Sequence, residues 1–284
     1  MRVRFFGVRG SIPTPGPSTV RYGGNTVCVE VRLADDTRIL LDGGTGLRDA
    51  GKVIQAERYR GKIHMFITHP HWDHIMGVPF FGPMYSKDSH IVLHPMTVKG
   101  REGLRRPIMF DGEHFPVKYS DLPSKIERVE DLCEHRVGTA RITTIELNHP
   151  GGANGFRIDD EDGTSLCYLT DNELHPPGAV LTTPGDLARF SAGTSLLIHD
   201  AQYLPQDMPA KHGWGHSLVD QVLALAADAG AARVALHHHD PDRSDDMLDM
   251  IAADTVRWAR EHAPSLEPIV AREGLELDLH ARRP

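Results

Sequence analysis

Three histidines and an aspartate stand within one six-residue stretch, His69-Pro70-His71-Trp72-Asp73-His74. This stretch directly follows a mostly apolar run at residues 62–68, which has the length and composition of a short buried strand. A strand end is held rigidly by its sheet while its side chains reach into open space. Imidazole and carboxylate groups are ligands for zinc, manganese or iron, so the stretch predicts a metal site. The alternative is an exposed histidine-rich turn that binds no metal.

Length and charge limit the classes of protein to consider. The chain has 284 residues without an internal repeat, a long linker or a low-complexity run, which predicts a single domain over residues 1–284. Its hydrophobic fraction of 40% and charged fraction of 25% are typical of soluble globular proteins. The net charge of -8 argues against broad nucleic-acid binding, because such binding needs a basic face.

Cysteines and targeting signals suggest where the protein works. Cys28, Cys133 and Cys167 are odd in number and widely spaced, so no disulfide framework is indicated. Cys28 and Cys167 lie in strand-like runs and are expected to be buried, inert thiols. The first residues lack the apolar core of a signal peptide, and no run is apolar enough to span a membrane. We therefore expect a cytoplasmic protein without membrane contact.

Hydrophobic periodicity and turn residues predict an alternation of strands and helices typical of an α/β fold. Strands are predicted at residues 3–6, 26–31, 38–41, 142–147, 155–158, 166–170, 196–200 and 233–236. Helices are predicted at residues 47–56, at residues 217–230 with Ser217 as the N-cap, and at residues 246–263. A short helix or bend is predicted at residues 75–81, whereas residues 95–135 show only weak strands and polar loops.

Histidine or aspartate recurs where the predicted strands end. The residues at these positions are His69, His149, Asp171, Asp200 and His238. A lone histidine at a strand end is usually structural. Functional residues in α/β proteins gather at one edge of the sheet, so five such endings favour a common site.

The His-x-His-x-Asp-His spacing and the order of the later strand endings resemble the metallo-β-lactamase superfamily, in the branch that binds two metals. The resemblance extends from residue 5 to residue 241. It implies an α/β fold built as an αββα sandwich of two mixed β-sheets flanked by helices. It also implies two divalent ions, with zinc first and manganese or iron as alternatives. The implied ligands are His69, His71 and His149 for one metal, Asp73, His74 and His238 for the other, and Asp171 between them. His237 or His239 could replace His238.

Two further segments resemble tRNase Z-type phosphodiesterases. Ile198-His199-Asp200-Ala201-Gln202-Tyr203 is similar to their His-Glu-Ala-Thr segment, with Asp in place of Glu, and Gly213-Trp214-Gly215-His216-Ser217 to their His-Ser segment. The resemblance implies that His216 meets the scissile phosphate and that Asp200 orients His216. As a mechanistic hypothesis, we further expect Asp73 to help orient a metal-bridged hydroxide. The alternative for His216 is a residue at a helix start without chemistry.

The families that this sequence resembles differ in their substrates, and the sequence favours a small substrate. The substrate-clamping arm of true tRNase Z commonly lies between the second histidine element and the bridging aspartate, where this chain has only a short segment. The openings at residues 7–13 and 22–26 resemble bacterial and phage proteins that include cyclic-nucleotide phosphodiesterases. We therefore expect an enzyme that hydrolyses a cyclic nucleotide or another small cyclic phosphate, and a homodimer by analogy with tRNase Z relatives.

Other interpretations remain at this stage. They are a tRNase Z-like nuclease, a thioester or lactone hydrolase on the same metal site, and a metal-stabilised nucleotide-binding protein. Arg9, His212 and Trp214 are candidate substrate contacts, and a tryptophan beside the site could stack on a base. Ordinary loop packing is the alternative for each of these three residues.

Overall fold

Two β-sheets packed face to face form the centre of the structure, a computed structural model that describes residues 1–95, 110, 112–113, 115–129 and 135–281. Cys133 and part of the weakly patterned stretch at residues 95–135 lie outside the described residues. Within the described parts of the chain, no helix has both the length and the apolar character needed to cross a membrane.

The first sheet mixes antiparallel and parallel strands. Its strands are β1 (Arg2–Gly7), β2 (Cys28–Arg32), β3 (Arg38–Leu41), β4 (Lys62–Phe66), β5 (His90–Leu93), β6 (Lys125–Arg128) and β14 (Glu276–Asp278). The order across the described sheet is β14-β1-β2-β3-β4-β5-β6. Pairing is antiparallel from β14 to β3 and parallel from β3 to β6.

The second sheet has the same mixed character. Its strands are β7 (His135–Val137), β8 (Ala140–Leu147), β9 (Ala153–Asp160), β10 (Ser165–Leu169), β11 (Leu196–Asp200), β12 (Arg233–His237) and β13 (Glu267–Val270). They follow the order β13-β12-β11-β10-β9-β8-β7. Pairing is parallel from β13 to β10 and antiparallel from β10 to β7. The parallel strands β10, β11 and β12 are buried along almost their whole length, as expected for strands covered on both faces.

Apolar side chains from the two sheets meet in a shared core. Phe66 on β4 and Phe156 on β9 are both buried, and their ring centroids lie 5.3 Å apart in an edge-to-face arrangement. Burying one such side chain contributes about 1.5–3 kcal/mol. This core holds the two sheets in a fixed relation, which in turn fixes the loops at their edges.

Helices cover the outer faces of both sheets. Helix α1 (Leu47–Ala56) packs Leu47 and Ile54 onto the first sheet. The short helix α2 (Trp72–Ile75) lies within the histidine-rich stretch. Helices α3 (Pro184–Phe190), α4 (Val219–Asp228) and α5 (Asp245–His262) complete the set, and α4 packs Val222 and Leu223 against the second sheet. The predicted αββα sandwich of two mixed sheets is confirmed.

The predicted elements are largely confirmed, with differences at their ends. Helix α1 has the predicted bounds, but β4 ends at Phe66 because the N–H of Thr68 donates to Oδ1 of Asp42 instead of to a strand. The predicted N-cap at Ser217 is wrong. Helix α4 begins at Val219 with Leu218 as its N-cap, and the hydroxyl of Ser217 donates to the carbonyl of Asn172 at 2.6 Å.

Candidate metal centre and active site

The loops after four strands bring metal-ligating side chains together. Two of the sets that the structure forms are His69, His71, His149 and Asp171, called here the three-histidine cluster, and Asp73, His74, Asp171 and His238, called here the two-histidine cluster. Within each set the candidate ligand atoms lie within 4.8 Å of one another. Asp171 belongs to both. The structure therefore assembles all seven residues for which the sequence predicted metal binding.

In the three-histidine cluster, nitrogen atoms face one another at close range. Nδ1 of His71 lies 2.9 Å from Nε2 of His69 and 3.1 Å from Nε2 of His149. Oδ2 of Asp171 lies 3.5 Å from Nε2 of His69 and 3.7 Å from Nε2 of His149. Three nitrogens and one carboxylate oxygen thus point at a common centre.

The two-histidine cluster uses the other oxygen of Asp171. Its Oδ1 lies 3.2 Å from Nε2 of His74 and 3.0 Å from Nε2 of His238. Oδ2 of Asp73 lies 3.1 Å from Nε2 of His238 and 3.4 Å from Nε2 of His74. Because Asp171 presents one oxygen to each cluster, it occupies the position of a bridging ligand.

The surroundings of these histidines fit metal binding. In four of them Nδ1 is held by an outer partner while Nε2 points inward. The Nδ1 contacts are His69 to Thr68 Oγ1 at 3.0 Å, His74 to Asp42 Oδ2 at 2.9 Å, His149 to the Gly215 carbonyl at 3.0 Å, and His238 to Gln202 Oε1 at 2.8 Å. Such contacts fix the tautomer of a metal ligand. Nε2 of His74 is buried without a hydrogen bond, which is the condition of a nitrogen that a cation would satisfy.

The neighbours of His238 point elsewhere. Nε2 of His237 contacts the carbonyl of Gly7 at 3.0 Å, and Nε2 of His239 contacts the carbonyl of Ala271 at 2.8 Å. Of the triplet, His238 alone belongs to the two-histidine cluster. The structure therefore favours His238 over both alternatives.

Backbone strain marks three of the strand ends at the site. Asp42, Asp171 and His238 have φ angles of 60°, 54° and 57°, in the left-handed region that non-glycine residues seldom adopt. Such conformations persist where the surrounding structure over-determines them, and they cluster at functional sites. Here they turn the chain sharply as it leaves β3, β10 and β12.

Burial and charge set the protonation of the cluster. Burial lowers the pKa of His69, and it lowers the pKa of His149 to about 4, so both rings are neutral and able to bind a cation. Burial alone would raise the pKa of Asp171, but the neighbouring His238 and His74 outweigh it and lower that pKa. Burial likewise opposes charge on His74, yet Asp171, Asp73 and Asp42 raise its pKa.

His216 and Asp200 form a hydrogen-bonded pair beside the clusters. Nδ1 of His216 lies 2.9 Å from Oδ2 of Asp200, and its ring centroid lies 4.9 Å from that of His238 and 5.3 Å from that of His149. Burial would lower the pKa of His216, but Asp200 outweighs burial and raises it to about 9. Asp200 therefore favours the protonated form of His216.

A third set of potential ligands consists of Asp200, His216 and His238. Nδ1 of each ring already has a hydrogen-bond partner, because Nδ1 of His216 contacts Asp200 within the set and Nδ1 of His238 contacts Gln202 outside it. Nδ1 of His238 lies 4.0 Å from Oδ1 of Asp200. We interpret this set as a hydrogen-bond network that joins the catalytic candidates to the two-histidine cluster.

The three predicted substrate contacts have different environments. Arg9 is fully buried and donates to the carbonyls of Gly23 and Arg243 at 2.8 and 2.6 Å, which favours the alternative of ordinary loop packing for this residue. His212 and Trp214 are exposed on the loop that leads to His216, and Trp214 is 60% exposed. Their contact with substrate stays a prediction.

A cavity of about 210 Å³ borders His216. Met208, Pro209 and Leu218 supply apolar walls, and Glu173 is among the polar lining residues. The carboxylate of Glu173 accepts the N–H groups of Gly213 and Gly215, each at 2.9 Å, and so fixes the loop that carries Trp214. The cavity is open enough for a small organic group beside the candidate catalytic residue.

Sequence reasoning missed several residues that support the site. They are Ser11, Asp42, Thr68, Glu173 and Gln202. Asp42 carried a usable signal, because it follows a predicted strand as the ligands do. Ser11, Glu173 and Gln202 gave none, since their partners are distant in sequence or are backbone groups, and Thr68 is an ordinary strand-end residue although its partner His69 is adjacent.

Comparisons with known proteins agree with the fold. The family model described as "Beta-lactamase superfamily domain" matches residues 37–239. Ribonuclease Z of Halobacterium salinarum is 27% identical to this chain, over an alignment that covers 84% of this chain and 86% of that protein. Ribonuclease BN of an Escherichia coli strain is 24% identical, covering 76% of this chain and 87% of that protein.

Solved structures show the same architecture. The metallo-beta-lactamase fold protein YhfI from Bacillus subtilis has a TM-score of 0.67 at 18% identity, covering 97% of this chain and 98% of its own. Human tRNase Z, short form, has a TM-score of 0.65 at 21% identity, covering 98% of this chain and 99% of its own. Unliganded yeast PDE1 has a TM-score of 0.67 at 16% identity, covering 98% of this chain and 99% of its own. Because two sequence relatives are named ribonucleases, the expected absence of broad nucleic-acid binding gains no support here.

Proposed function

The chain belongs to the beta-lactamase superfamily, and on this basis we propose that it is a metal-dependent phosphodiesterase that cleaves a small phosphodiester, in the first place a cyclic nucleotide. The observation that carries the proposal is the His216–Asp200 pair, whose atoms lie 2.9 Å apart beside both clusters. An imidazole oriented by a carboxylate at this position suits a phosphoryl group, whose leaving oxygen needs charge stabilisation or a proton. A thioester, a lactone or an amide would make less use of this pair.

The proposed ligands are the seven residues of the two clusters. Their nitrogen and oxygen donors suit zinc, with manganese or iron as alternatives. Two divalent ions in such a site supply an activated water and offset negative charge on a phosphoryl oxygen. Asp171 would serve both ions, since it presents one oxygen to each cluster.

The remaining roles belong to side chains around the clusters. His216 stabilises charge on the phosphate or donates a proton to the leaving oxygen, and Asp200 keeps its ring in place. Asp73 orients the nucleophile as well as binding a cation. The backbone N–H of Ser11 donates to Oδ2 of Asp73 at 2.7 Å and fixes that carboxylate.

Several features support a small substrate. Between His149 and Asp171 the chain forms only β9, β10 and their turns, so no substrate-clamping arm stands there. The cavity of about 210 Å³ beside His216 is below the range of about 300–1,000 Å³ that drug-sized ligands occupy. We propose that it takes the organic part of the phosphodiester, with the exposed Trp214 available to stack on a base.

A nuclease acting on tRNA precursors is the second candidate function. The names of the relatives from Halobacterium salinarum and Escherichia coli favour it. The net charge of -8 does not, because RNA binding usually relies on a basic face. With either function we also propose that the chain is one domain and that it forms a homodimer. The core shared by the two sheets supports the proposal of one domain.

A substrate panel tests the proposed function. Protein loaded with zinc or manganese would be incubated with cyclic nucleotides, bis-para-nitrophenyl phosphate, a 3′-extended tRNA precursor, an acyl thioester and nitrocefin. We expect cleavage of bis-para-nitrophenyl phosphate and of at least one cyclic nucleotide. Cleavage of the tRNA precursor alone would establish the nuclease, and cleavage of the thioester alone would overturn the phosphodiesterase. Unchanged nucleotide bound to fully metallated protein would indicate a nucleotide-binding protein.

A further inference from the structure

We propose that Gln202 is a positioning residue that holds His238 and Asp73 in the geometry of one cation site and connects that site to the Asp200–His216 pair. This inference rests on the proposed function, because it assumes that the clusters hold cations. Gln202 lies in the loop after β11, outside both clusters.

Gln202 takes part in a closed ring of four contacts. Its Oε1 lies 2.8 Å from Nδ1 of His238, and its Nε2 lies 3.4 Å from Oγ of Ser11. The N–H of Ser11 donates to Oδ2 of Asp73 at 2.7 Å, and the same oxygen lies 3.1 Å from Nε2 of His238. The ring therefore joins both ends of the His238 imidazole to the carboxylate that shares its cluster.

This set of four contacts fixes the tautomer of the His238 imidazole. An amide oxygen can only accept, so the contact with Oε1 places the ring proton on Nδ1. Nε2 is then left with a lone pair directed into the two-histidine cluster. Loss of the amide oxygen would allow the His238 imidazole to turn or to take the other tautomer.

Gln202 also contacts the candidate catalytic pair. Its backbone N–H donates to Oδ1 of Asp200 at 3.0 Å, while Oδ2 of Asp200 holds Nδ1 of His216. One residue therefore braces the loop after β11, the ligand after β12 and the loop after β1.

The space around Gln202 leaves little room for another arrangement. Its side chain is 4% exposed, so its amide depends on protein partners. A Cβ atom at Gly10 would lie 2.3 Å from Nδ1 of His238 and 3.0 Å from Oε1 of Gln202. The chain at Gly10 thus approaches the Gln202–His238 contact as closely as a glycine permits.

Two substitutions separate hydrogen bonding from packing. Gln202→Leu has a similar size but cannot contact His238 or Ser11 through a polar atom. Gln202→Glu retains an acceptor for Nδ1 of His238, and its other oxygen can accept the Ser11 hydroxyl. Gln55→Leu, at an exposed position on α1, is the matched control.

The experiment measures zinc affinity by competition with a chromophoric chelator, together with melting of the metal-free proteins. We expect Gln202→Leu to weaken one of two zinc sites by about 10–100-fold. In Gln202→Leu, the zinc affinity of the other site should stay within about threefold of that in the unchanged protein. In the Gln55→Leu control and in Gln202→Glu, the zinc affinities of both sites should stay within the same limit. Should Gln202→Leu fail to fold, Ser11→Ala replaces it, and it should weaken the same site by a smaller factor.

A double variant identifies the affected site. His71 belongs to the three-histidine cluster and not to the two-histidine cluster, so His71→Ala should weaken zinc binding at the three-histidine cluster. Adding Gln202→Leu should then also weaken zinc binding at the two-histidine cluster, so that both sites are affected. Equal loss at both sites, no further loss in the double variant, or loss with Gln202→Glu as large as with Gln202→Leu would overturn the inference. An unchanged protein that binds no zinc would overturn the proposed function itself, which is a distinct result.

Discussion

Nδ1 of His216 lies 2.9 Å from Oδ2 of Asp200, and the same oxygen accepts the N–H of Asn172 at 3.2 Å. Both side chains are buried, so the contact is shielded from bulk solvent. The carboxylate holds the His216 ring in one orientation through Nδ1, and its negative charge favours the protonated ring. This contact sets the orientation of His216, the proposed proton donor, from a carboxylate that belongs to neither metal cluster as defined above.

Replacing His216 by Ala should lower turnover without changing metal content. A positioned proton donor contributes about 10²–10⁴-fold to rate, and we expect a loss of kcat in that range on bis-para-nitrophenyl phosphate. Elemental analysis of the same preparation provides the second readout. His262→Ala, at the exposed end of α5, is the control. If His216→Ala loses metal in proportion to activity, His216 is a ligand and its assigned role is wrong.

Replacing Gly215 by Ala should disturb the three-histidine cluster. Gly215 has a φ of 88°, and a Cβ atom there would lie 2.3 Å from Nδ1 of His149. Strained backbone costs about 1–3 kcal/mol, and the clash displaces the ring as well. We expect a lower melting temperature and weaker zinc binding.

Gly193→Ala is the matched control for this change. Gly193 has a φ of 64° but nothing within 4 Å of the added Cβ atom. It should share the loss of stability and keep zinc affinity. Equal zinc affinities in the two variants would show that the clash at His149 has no effect on the site.

Replacing Arg9 by Met should destabilise the fold and leave substrate binding unchanged. The guanidinium donates to the carbonyls of Gly23, Asp240 and Arg243, which would lose their buried partner. We expect the free energy of unfolding in urea to fall by roughly 2–5 kcal/mol. The exposed Arg60→Met should change it by less than about 0.5 kcal/mol. A raised KM with unchanged stability would restore the idea that Arg9 contacts substrate.

The thiols of Cys28 and Cys167 should resist alkylation in the folded protein. Burial raises the pKa of both, to about 11 for Cys167. Thiolate is the reactive form and appears only as the pH approaches the raised pKa, so at pH 8 about 0.1% of Cys167 is ionised. Iodoacetamide labelling, mapped by peptide mass spectrometry, should be at least about tenfold slower than in urea. Rapid labelling of either residue at pH 8 would contradict its burial.

Local sequence pattern predicted much of the fold because buried strands and amphipathic helices have clear periodicities. Helix α1 and the strand before Asp200 were predicted with their observed bounds. Strands β13 and β14 were missed because they are short and only partly buried, and their pairing with β12 and β1 is what makes them strands.

The candidate ligands were predictable for a similar reason. His149, Asp171 and His238 each follow an apolar run, and that signal is local in the chain. Gln202 contacts His238, 36 positions away, and no local pattern indicates that contact. Asp42 follows a predicted strand, which marks its position, but the pattern does not indicate its partner His74, 32 positions away. Ser217 was wrongly predicted as a cap because its hydroxyl contacts Asn172, which is 45 positions away.

The metal content of purified protein tests the central claim most directly. Elemental analysis after loading with zinc and removal of free metal should give about two ions per chain, as expected for a dinuclear site. Because Asp171 presents one oxygen to each cluster, Asp171→Ala should retain less than about a tenth of that amount while the metal-free protein keeps its fold. Full zinc occupancy in Asp171→Ala, or no bound metal in the unchanged protein, would contradict the account.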